Sequence, residues 1–581
     1  MTKLLPNAIR VLQSRYLLRN GKGVLTETPD QLFRRVARHM AQAELNYANK
    51  ITAQAWEEKF FRVMSDLLFL PNSPTLMNAG LPLNQLSACF VLPVNDTLED
   101  IFTTLKQAAL IQQSGGGTGF NFSRLRHQGN FIQTTSGYSS GPLAFMKIFD
   151  AATENIKQGG KRRGANMGIL NIDHPDIERF ISIKQEEGVL RNFNLSVGIT
   201  DAFMQCVLND ELWYLKDPNT GETVKKLKAK YLWDMLVENA WRSGDPGLVF
   251  LDTINAANPT PHIGSIMCTN PCGEVPLLPY EACNLGSVDL AKCFDEKSGT
   301  VDKIRLKCIV EIAVRFLDNV IDMNNYIIPE IKQMVKGNRK IGLGVMGWAD
   351  LLIKMEIPYA SCEAVSLGEE LMAFLQQEAD KYSEILANER GVFANWRGSI
   401  FAPAKRIRNA TRTSIAPTGT ISIIAGTSSS IEPNYALAIR RENILNNEEL
   451  FEINPHVLSY LKKYQLDSPE VLDKLKTTGS IQDTDLPDAV KQLFLTALEI
   501  DPAWHLKHQV AFQKHTDNAV SKTINLPNSA SVNEVAHAFL SAWRGKAKGI
   551  TVYRDGCKQL QVLKSGLGEP DNKGSCRVCN T

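Results

Sequence analysis

The chain has 581 residues, of which 22% are charged and 44% hydrophobic, and its formal net charge is +2. That length exceeds what one small core needs, the composition is ordinary for a soluble globular protein, and the near-zero charge argues against a dedicated nucleic-acid or membrane surface. Eleven cysteines are an odd count at low density, which argues against a secreted disulfide framework and leaves each one to be read locally as core filler, metal ligand or catalyst.

No apolar run reaches bilayer-spanning length, and the N-terminal MTKLLPNAIRVLQSRYLLRN lacks a signal peptide's apolar core and cleavage site. The expected location is therefore the cytoplasm. Residues 1–70 read as a helical N-terminal region. In TPDQLFRRVARHMAQAE a Thr cap is followed by Pro and then by apolar residues at helical spacing. From residue 71 to 545, short apolar runs alternate with amphipathic stretches and glycine turns: ACFVLPV, GTGFNFS, NMGILNI, NFNLSVGI, KIGLGVMGWADLLIK and TISIIAG. This alternation predicts an α/β fold built on one large sheet or barrel. Asn443 to Asp501 reads as helical surface insertions, and residues 546–581 as a polar, glycine-bearing tail.

Several segments carry chemistry. NSPTLMNAG (Asn72–Gly80) precedes Cys89, which opens an apolar run where a buried small hydrophobe is the competing reading. QQSGGGTGF (Gln112–Phe120) lets backbone approach a ligand closely, or makes a tight turn; it matches neither nucleotide-binding glycine fingerprint. QGGKRRGANMGIL (Gln158–Leu170) places Lys161, Arg162 and Arg163 between glycines, as a phosphate-friendly loop or a solvated turn.

Asn270-Pro271-Cys272-Gly273-Glu274, followed by Cys283 in EACNLGS, combines a thiol, a carboxylate and a carboxamide. In an extended segment these three side chains share one face, where they could abstract hydrogen, accept a proton and orient a hydroxyl. A Pro-Gly turn with an incidental cysteine is the alternative. Pro417-Thr418-Gly419-Thr420 in SIAPTGTISIIAG suits a phosphate at a helix start, or a plain cap. The terminal Cys576-Arg577-Val578-Cys579 has too few neighbouring ligands for zinc, so an exchanging dithiol is the better reading, and no metal ligand set is assigned.

Together NPCGE, CNLGS, SACFVLP, SGGGTGF, QGGKRRGAN and APTGTI resemble the catalytic chain of ribonucleotide reductases, most closely the adenosylcobalamin-dependent class, class II. The similarity runs from about Leu70 to the C-terminus, with the segments in the family's order. It implies a ten-stranded α/β barrel with Cys272 on a finger loop inside it. It further implies that Cys272 forms a thiyl radical that removes the ribose 3′ hydrogen, that Glu274 is the base for the 3′ hydroxyl, and that Asn270 bonds the substrate. Cys89 and Cys283 become the pair oxidised to a disulfide, and Cys576 and Cys579 the tail dithiol that re-reduces them with a thioredoxin-like donor.

Substrate contacts carried over are Ser73, Ala88, Cys89, Gly116, Gly117 and the loop Pro417, Thr418, Gly419, Thr420 and Ile421. Effector contacts, for a deoxynucleotide or ATP at a homodimer interface, are Asp96, Thr97, Leu98 and Arg126, with Gln158, Lys161, Arg162 and Arg163 on the loop that relays base choice.

In GITVYRDGC, Arg554 follows Tyr553, so the paired-tyrosine relay of the class with a separate radical subunit is broken, and the tail lacks a glycyl-radical motif. A cofactor-borne radical from adenosylcobalamin is expected. With no DxHxxG motif, that cofactor is expected base-on; its contacts are not legible in the sequence. The N-terminus also lacks the signature of an ATP-cone. Ribonucleoside diphosphates are the expected substrates. The alternative is a large catalytic subunit needing a metal-radical partner chain; a catalytically dead nucleotide-binding regulator should lack one of Cys89, Cys272, Glu274 or Cys283, and none is missing.

Overall fold

The computed structural model describes residues 3–133, 136–158, 162–186, 188–445, 448–557 and 563–565. Helices Pro6–Arg15, Pro29–Ala41 and Lys50–Ser65 come first. The second starts as its sequence dictates: Thr28 caps it in a capping box with Gln31, and Pro29 stands where no intrahelical N–H is needed. Phe60 from this region meets Phe316 edge-on at 5.2 Å, and Phe316 in turn meets Phe69 at 5.5 Å, so one aromatic stack joins the helices to the first barrel strand.

Ten strands form the main sheet. In chain order they are β1 Phe69–Pro71, β2 Cys89–Val91, β3 Gly117–Asn121, β4 Asn166–Asn171, β5 Phe193–Ile199, β6 Gly247–Phe250, β7 Ala282–Asp289, β8 Ile341–Met346, β9 Thr523–Leu526 and β10 Gly549–Arg554. Strands β2 to β6 are parallel neighbours in sequence order. β7 and β8 are parallel to each other, as are β9 and β10. The two sets meet antiparallel at β6–β10 and at β7–β2. The gap between β8 and β9 is closed by the extended segment 411–415: Leu343 N donates to Arg412 O at 2.8 Å, and Ile415 N donates to Ala519 O at 3.1 Å. The strands buried on both faces read as apolar runs, as a barrel wrapped by helices requires.

TISIIAG contains the short helix Ile421–Ala425, in keeping with the helix start offered by Pro417 to Thr420. One segment differs from the sequence reading. The start of the 443–501 stretch is strand: Ala438–Leu445 pairs with Glu448–Ile453 and with the distant Leu563–Ser565, a non-local pairing that local pattern does not announce. Helices Pro455–Lys463, Pro469–Thr478 and Asp488–Leu493 follow as expected.

Inside the barrel lies a hairpin with strands Cys268–Thr269 and Pro276–Leu277, whose tip carries Cys272. The tip is pinned from several walls. Pro271 O accepts from Asn194 Nδ2 at 2.8 Å, and Glu274 O accepts from Ala519 N at 2.8 Å and Ser414 Oγ at 2.9 Å. β3 passes so close that a Cβ at Gly119 would stand 1.8 Å from Thr269 O. Gly119→Ala should therefore displace the hairpin and lower turnover by at least about 100-fold, the scale expected when reacting groups shift by about 1 Å, while the folded barrel persists; near-normal kinetics would contradict this packing.

Behind the barrel wall, Asp318 on helix Lys303–Met323 is buried among Arg339, Arg390 and Arg408, with Arg339 leading directly into β8. Burial raises the Asp318 carboxyl, but the three guanidiniums prevail and hold it below the usual carboxylate value. Its contribution is fully present above an unfolded value of about 3.9 and is lost as pH falls through the depressed folded one. Asp318→Asn should cost about 3–5 kcal/mol in denaturant titrations at pH 7 by leaving buried cations uncompensated, and the difference from wild type should shrink as pH is lowered towards 3.

Candidate active site

The loop after Thr269 is a tight turn, not an extended strand. Gly273 sits at φ 82°, Gly273 N donates to Asn270 O at 3.1 Å, and Asn270 Oδ1 accepts from Val275 N at 3.0 Å. The shared face expected of Asn270, Cys272 and Glu274 is thus produced by curling rather than by strand alternation. All three line one cavity of about 320 Å3. Asn270 and Glu274 are buried, 2% exposed each, whereas Cys272 is accessible.

Cys89 enters from β2. Its Sγ accepts from Asn270 Nδ2 at 3.1 Å and lies 4.0 Å from Glu274 Oε1. Cys283 on β7 is its direct antiparallel partner. Residues so opposed have Cα atoms about 4.5–5.5 Å apart, within the span a disulfide bridges. Burial pushes the Cys283 thiol well above its ordinary pKa; the nearby Lys340 opposes this while Glu281 and Glu274 add to it. The reduced Cys283 is therefore a neutral thiol that carries its proton.

Ser73, Ala88, Gly116, Gly117 and Pro417 through Ile421 all line the same cavity, so the structure gathers every substrate contact expected from the sequence. Thr418 adopts φ 53° and its Oγ1 accepts from Ser430 N at 2.7 Å, which fixes the turn before the helix Ile421–Ala425. Sequence reasoning missed Asn72, Gln112, Gly164 and Ala165, which also line the cavity. Each sits inside or beside a motif already singled out, and only the fold shows which of them faces inward.

Cys272 also borders a second cavity of about 550 Å3, lined by Tyr435, Asn525 and Tyr553 among others. A third, of about 660 Å3, shares Pro417, Tyr435 and Asn525 with the second. Lys522 is buried on the second wall between Glu432 and His505 Nδ1, the latter at 3.0 Å. Arg554, in the place of a second tyrosine, donates to Trp241 O and Asn528 O, both at 3.1 Å, and stacks on the Trp241 ring. The second space reaches the accessible Cys272 and adjoins the third, and their aromatic and polar walls fit a bulky cofactor such as a corrin.

The expected effector residues lie away from the cavity. Arg126 Nε donates to Asp96 at 2.7 Å and Asn219 Nδ2 donates to the same carboxylate at 3.0 Å. Thr97 caps the helix Leu98–Gln113. Gln158, Arg162 and Arg163 lie in a two-stranded ladder whose side chains are outside the described residues, as are Lys161, Cys576 and Cys579 entirely. Among the described residues, no three His, Cys, Asp or Glu side chains gather as a metal site, and no helix is long and apolar enough to cross a membrane.

Comparison with known proteins identifies the family. The ribonucleotide reductase barrel domain matches residues 87–407 and 402–553, and the family's all-alpha domain matches residues 2–84. A vitamin B12-dependent ribonucleoside-diphosphate reductase of Thermoplasma acidophilum is 48% identical over 98% of this chain and 81% of its own length. One of the same name from Mycobacterium tuberculosis (strain CDC 1551) is 47% identical over 98% of this chain and 82% of its own. The solved Actinobacillus ureae class Id ribonucleotide reductase alpha subunit shares the fold with a TM-score of 0.77 at 25% identity, covering 95% of this chain and 97% of that one. With the barrel domain matched over more than half its length and such relatives spanning nearly all of it, the chain belongs to the ribonucleotide reductase family, among its vitamin B12-dependent ribonucleoside-diphosphate reductases.

Proposed function

We propose that the chain converts ribonucleoside diphosphates to 2′-deoxyribonucleotides, precursors for DNA synthesis, with Cys272 as the radical-bearing residue. The observation that carries this reading is the convergence of Cys272, Glu274 and Asn270 with Cys89 on one cavity, Cys283 standing opposite Cys89. The diphosphate is held by Pro417 to Ile421 with Ser73, and Ala88, Gly116 and Gly117 let the nucleotide approach the backbone. The Cys272 thiyl removes the 3′ hydrogen while Glu274 takes the 3′ hydroxyl proton and Asn270 orients the ribose. The 2′ hydroxyl leaves as water, protonated by one thiol of the Cys89–Cys283 pair, and C2′ takes the hydrogen of the other. That pair thereby supplies two electrons and closes to a disulfide, Glu274 returns its proton to the 3′ oxygen, and Cys272 returns hydrogen to C3′.

Tyr435, Asn525 and Tyr553 would line the space for adenosylcobalamin, which when bound would supply the radical-generating chemistry beside Cys272. The surrounding walls exclude water from the radical. Arg554 is committed to packing, which disfavours a tyrosine relay from a second subunit.

On this reading residues 1–70 form a helical region, and the barrel expected over 71–545 runs on through β10 at Gly549–Arg554, because that strand completes the sheet; the residues after it form a tail whose Cys576 and Cys579 pass electrons from a thioredoxin-like reductant in the cytoplasm. A homodimer forms through the helices Leu98–Gln113 and Pro142–Asn155, which expose Leu98, Phe102 and Ile148. A deoxynucleotide or ATP effector binds near Asp96, Thr97, Leu98 and Arg126. Gln158, Lys161, Arg162 and Arg163 relay its identity.

Anaerobic turnover of the purified chain with a ribonucleoside diphosphate, a dithiol and adenosylcobalamin should give product, and Cys272→Ser should abolish it. Product that appears only on adding a second subunit would overturn the cofactor assignment. Cys576→Ser should spare turnover with a small dithiol and impair it with thioredoxin; equal loss with both reductants would remove the tail from the electron path.

A further inference from the structure

A chain of buried hydrogen bonds ends at the cavity wall, and its polarity is set by its first acceptor. Phe149 O, a backbone carbonyl, can only accept, and it receives the Thr153 hydroxyl at 2.8 Å. Thr153 Oγ1 therefore accepts from Asn166 Nδ2, also at 2.8 Å. This turns Asn166 Oδ1 towards Thr118 Oγ1 and Gln112 Nε2, each at 2.7 Å. Gln112 Nε2 also reaches Thr118 Oγ1 at 3.1 Å. Every one of these side chains is buried. The amide of Gln112 is thereby held with its nitrogen inward, and the atom left to offer the cavity is Oε1, which takes no hydrogen bond among the described residues.

If Pro417 to Ile421 hold the phosphates and Cys272, Glu274 and Asn270 face the ribose, the lining left comprises a stretch beside β1 and β7 that includes Asn72 and Ser287, and a glycine-rich stretch of Gly115, Gly116, Gly117, Gly164 and Ala165 with Gln112. The glycine-rich stretch gives a flat base room against backbone, and Gln112 carries its polar side chain. We propose that Gln112 reads the nucleobase through Oε1, accepting from an N–H of the base, and that Thr153 and Asn166 are positioning residues that couple this acceptor to the 157–163 loop. The inference rests on the proposed reductase function.

The coupling follows from placement. Thr153 lies on the helix that leads into the loop, and Asn166 opens the strand that leaves it. Gly164 is wedged between them: a Cβ there would stand 2.8 Å from Thr153 Cγ2 and 3.2 Å from Gln112 Cδ. A change in the loop that moves either root must shift the Asn166 carboxamide, which holds Gln112 in its orientation.

The test is competition among ADP, GDP, CDP and UDP, scored as ratios of kcat/KM with and without a deoxynucleoside triphosphate. Gln112→Met, which keeps the bulk and removes the amide, should change at least one ratio by about 3–10-fold, the worth of one hydrogen bond. Thr153→Val lies outside the cavity. It should keep turnover of a single saturating substrate within about twofold while shrinking the effector-driven change in the ratios. Equal loss on all four substrates in Gln112→Met, or unchanged ratios, overturns base reading. An intact effector response in Thr153→Val overturns the coupling. A wild-type chain that reduces none of the four overturns the function itself, a result distinct from either.

Discussion

The site depends on a loop held inside a barrel, where its backbone polar groups have little water to bond and must find protein partners. The 268–277 hairpin meets that demand by taking bonds from segments far apart in the chain: Asn194 on β5, Ser414 in the segment that closes the wall, and Ala519 just before β9. The loop is therefore as rigid as the barrel, and Cys272 at its tip inherits that rigidity. The cost falls on β3, where Gly119 has lost its side chain to the Thr269 carbonyl.

The same arrangement explains why one cavity collects so many functions. β2, β3 and β4 run parallel, so their starting ends lie together, and those ends carry Cys89, Gly117 and Asn166. β7 runs the opposite way against β2 and delivers Cys283 to the same place. The reductant pair, the glycine wall and the root of the 157–163 loop are neighbours because of strand direction. None of these relations follows from distance along the chain.

Much of this was legible in the sequence because the motifs are local. The Thr28 cap, the apolar strands such as NMGILNI and NFNLSVGI, and the residue sets NPCGE and APTGTI each state their element or their chemistry within a few positions. What remained hidden depends on long-range pairing. The hairpin Ala438–Leu445 with Glu448–Ile453 takes a third strand more than a hundred residues downstream, and a polar stretch gives no sign of that partner. The common face of Asn270, Cys272 and Glu274 was expected from strand alternation and arises instead from a turn closed by the Asn270 carboxamide. The role of Gln112 was invisible because its polarity is decided by Phe149, Thr153 and Asn166, which the glycine motif beside it does not contain.

The seam between β2 and β7 deserves a mechanical reading. It has two paired rungs, Phe90 with Ala282 and Cys89 with Cys283. These strands belong to the two oppositely running sets, so the seam is one of the places where the halves of the barrel are joined. If Cys89 and Cys283 oxidise together, a covalent cross-link is added to the backbone ladder, and the halves are stapled until reductant arrives. The barrel would then alternate between a stapled and an unstapled wall once per turnover, so that its redox state is also its stiffness.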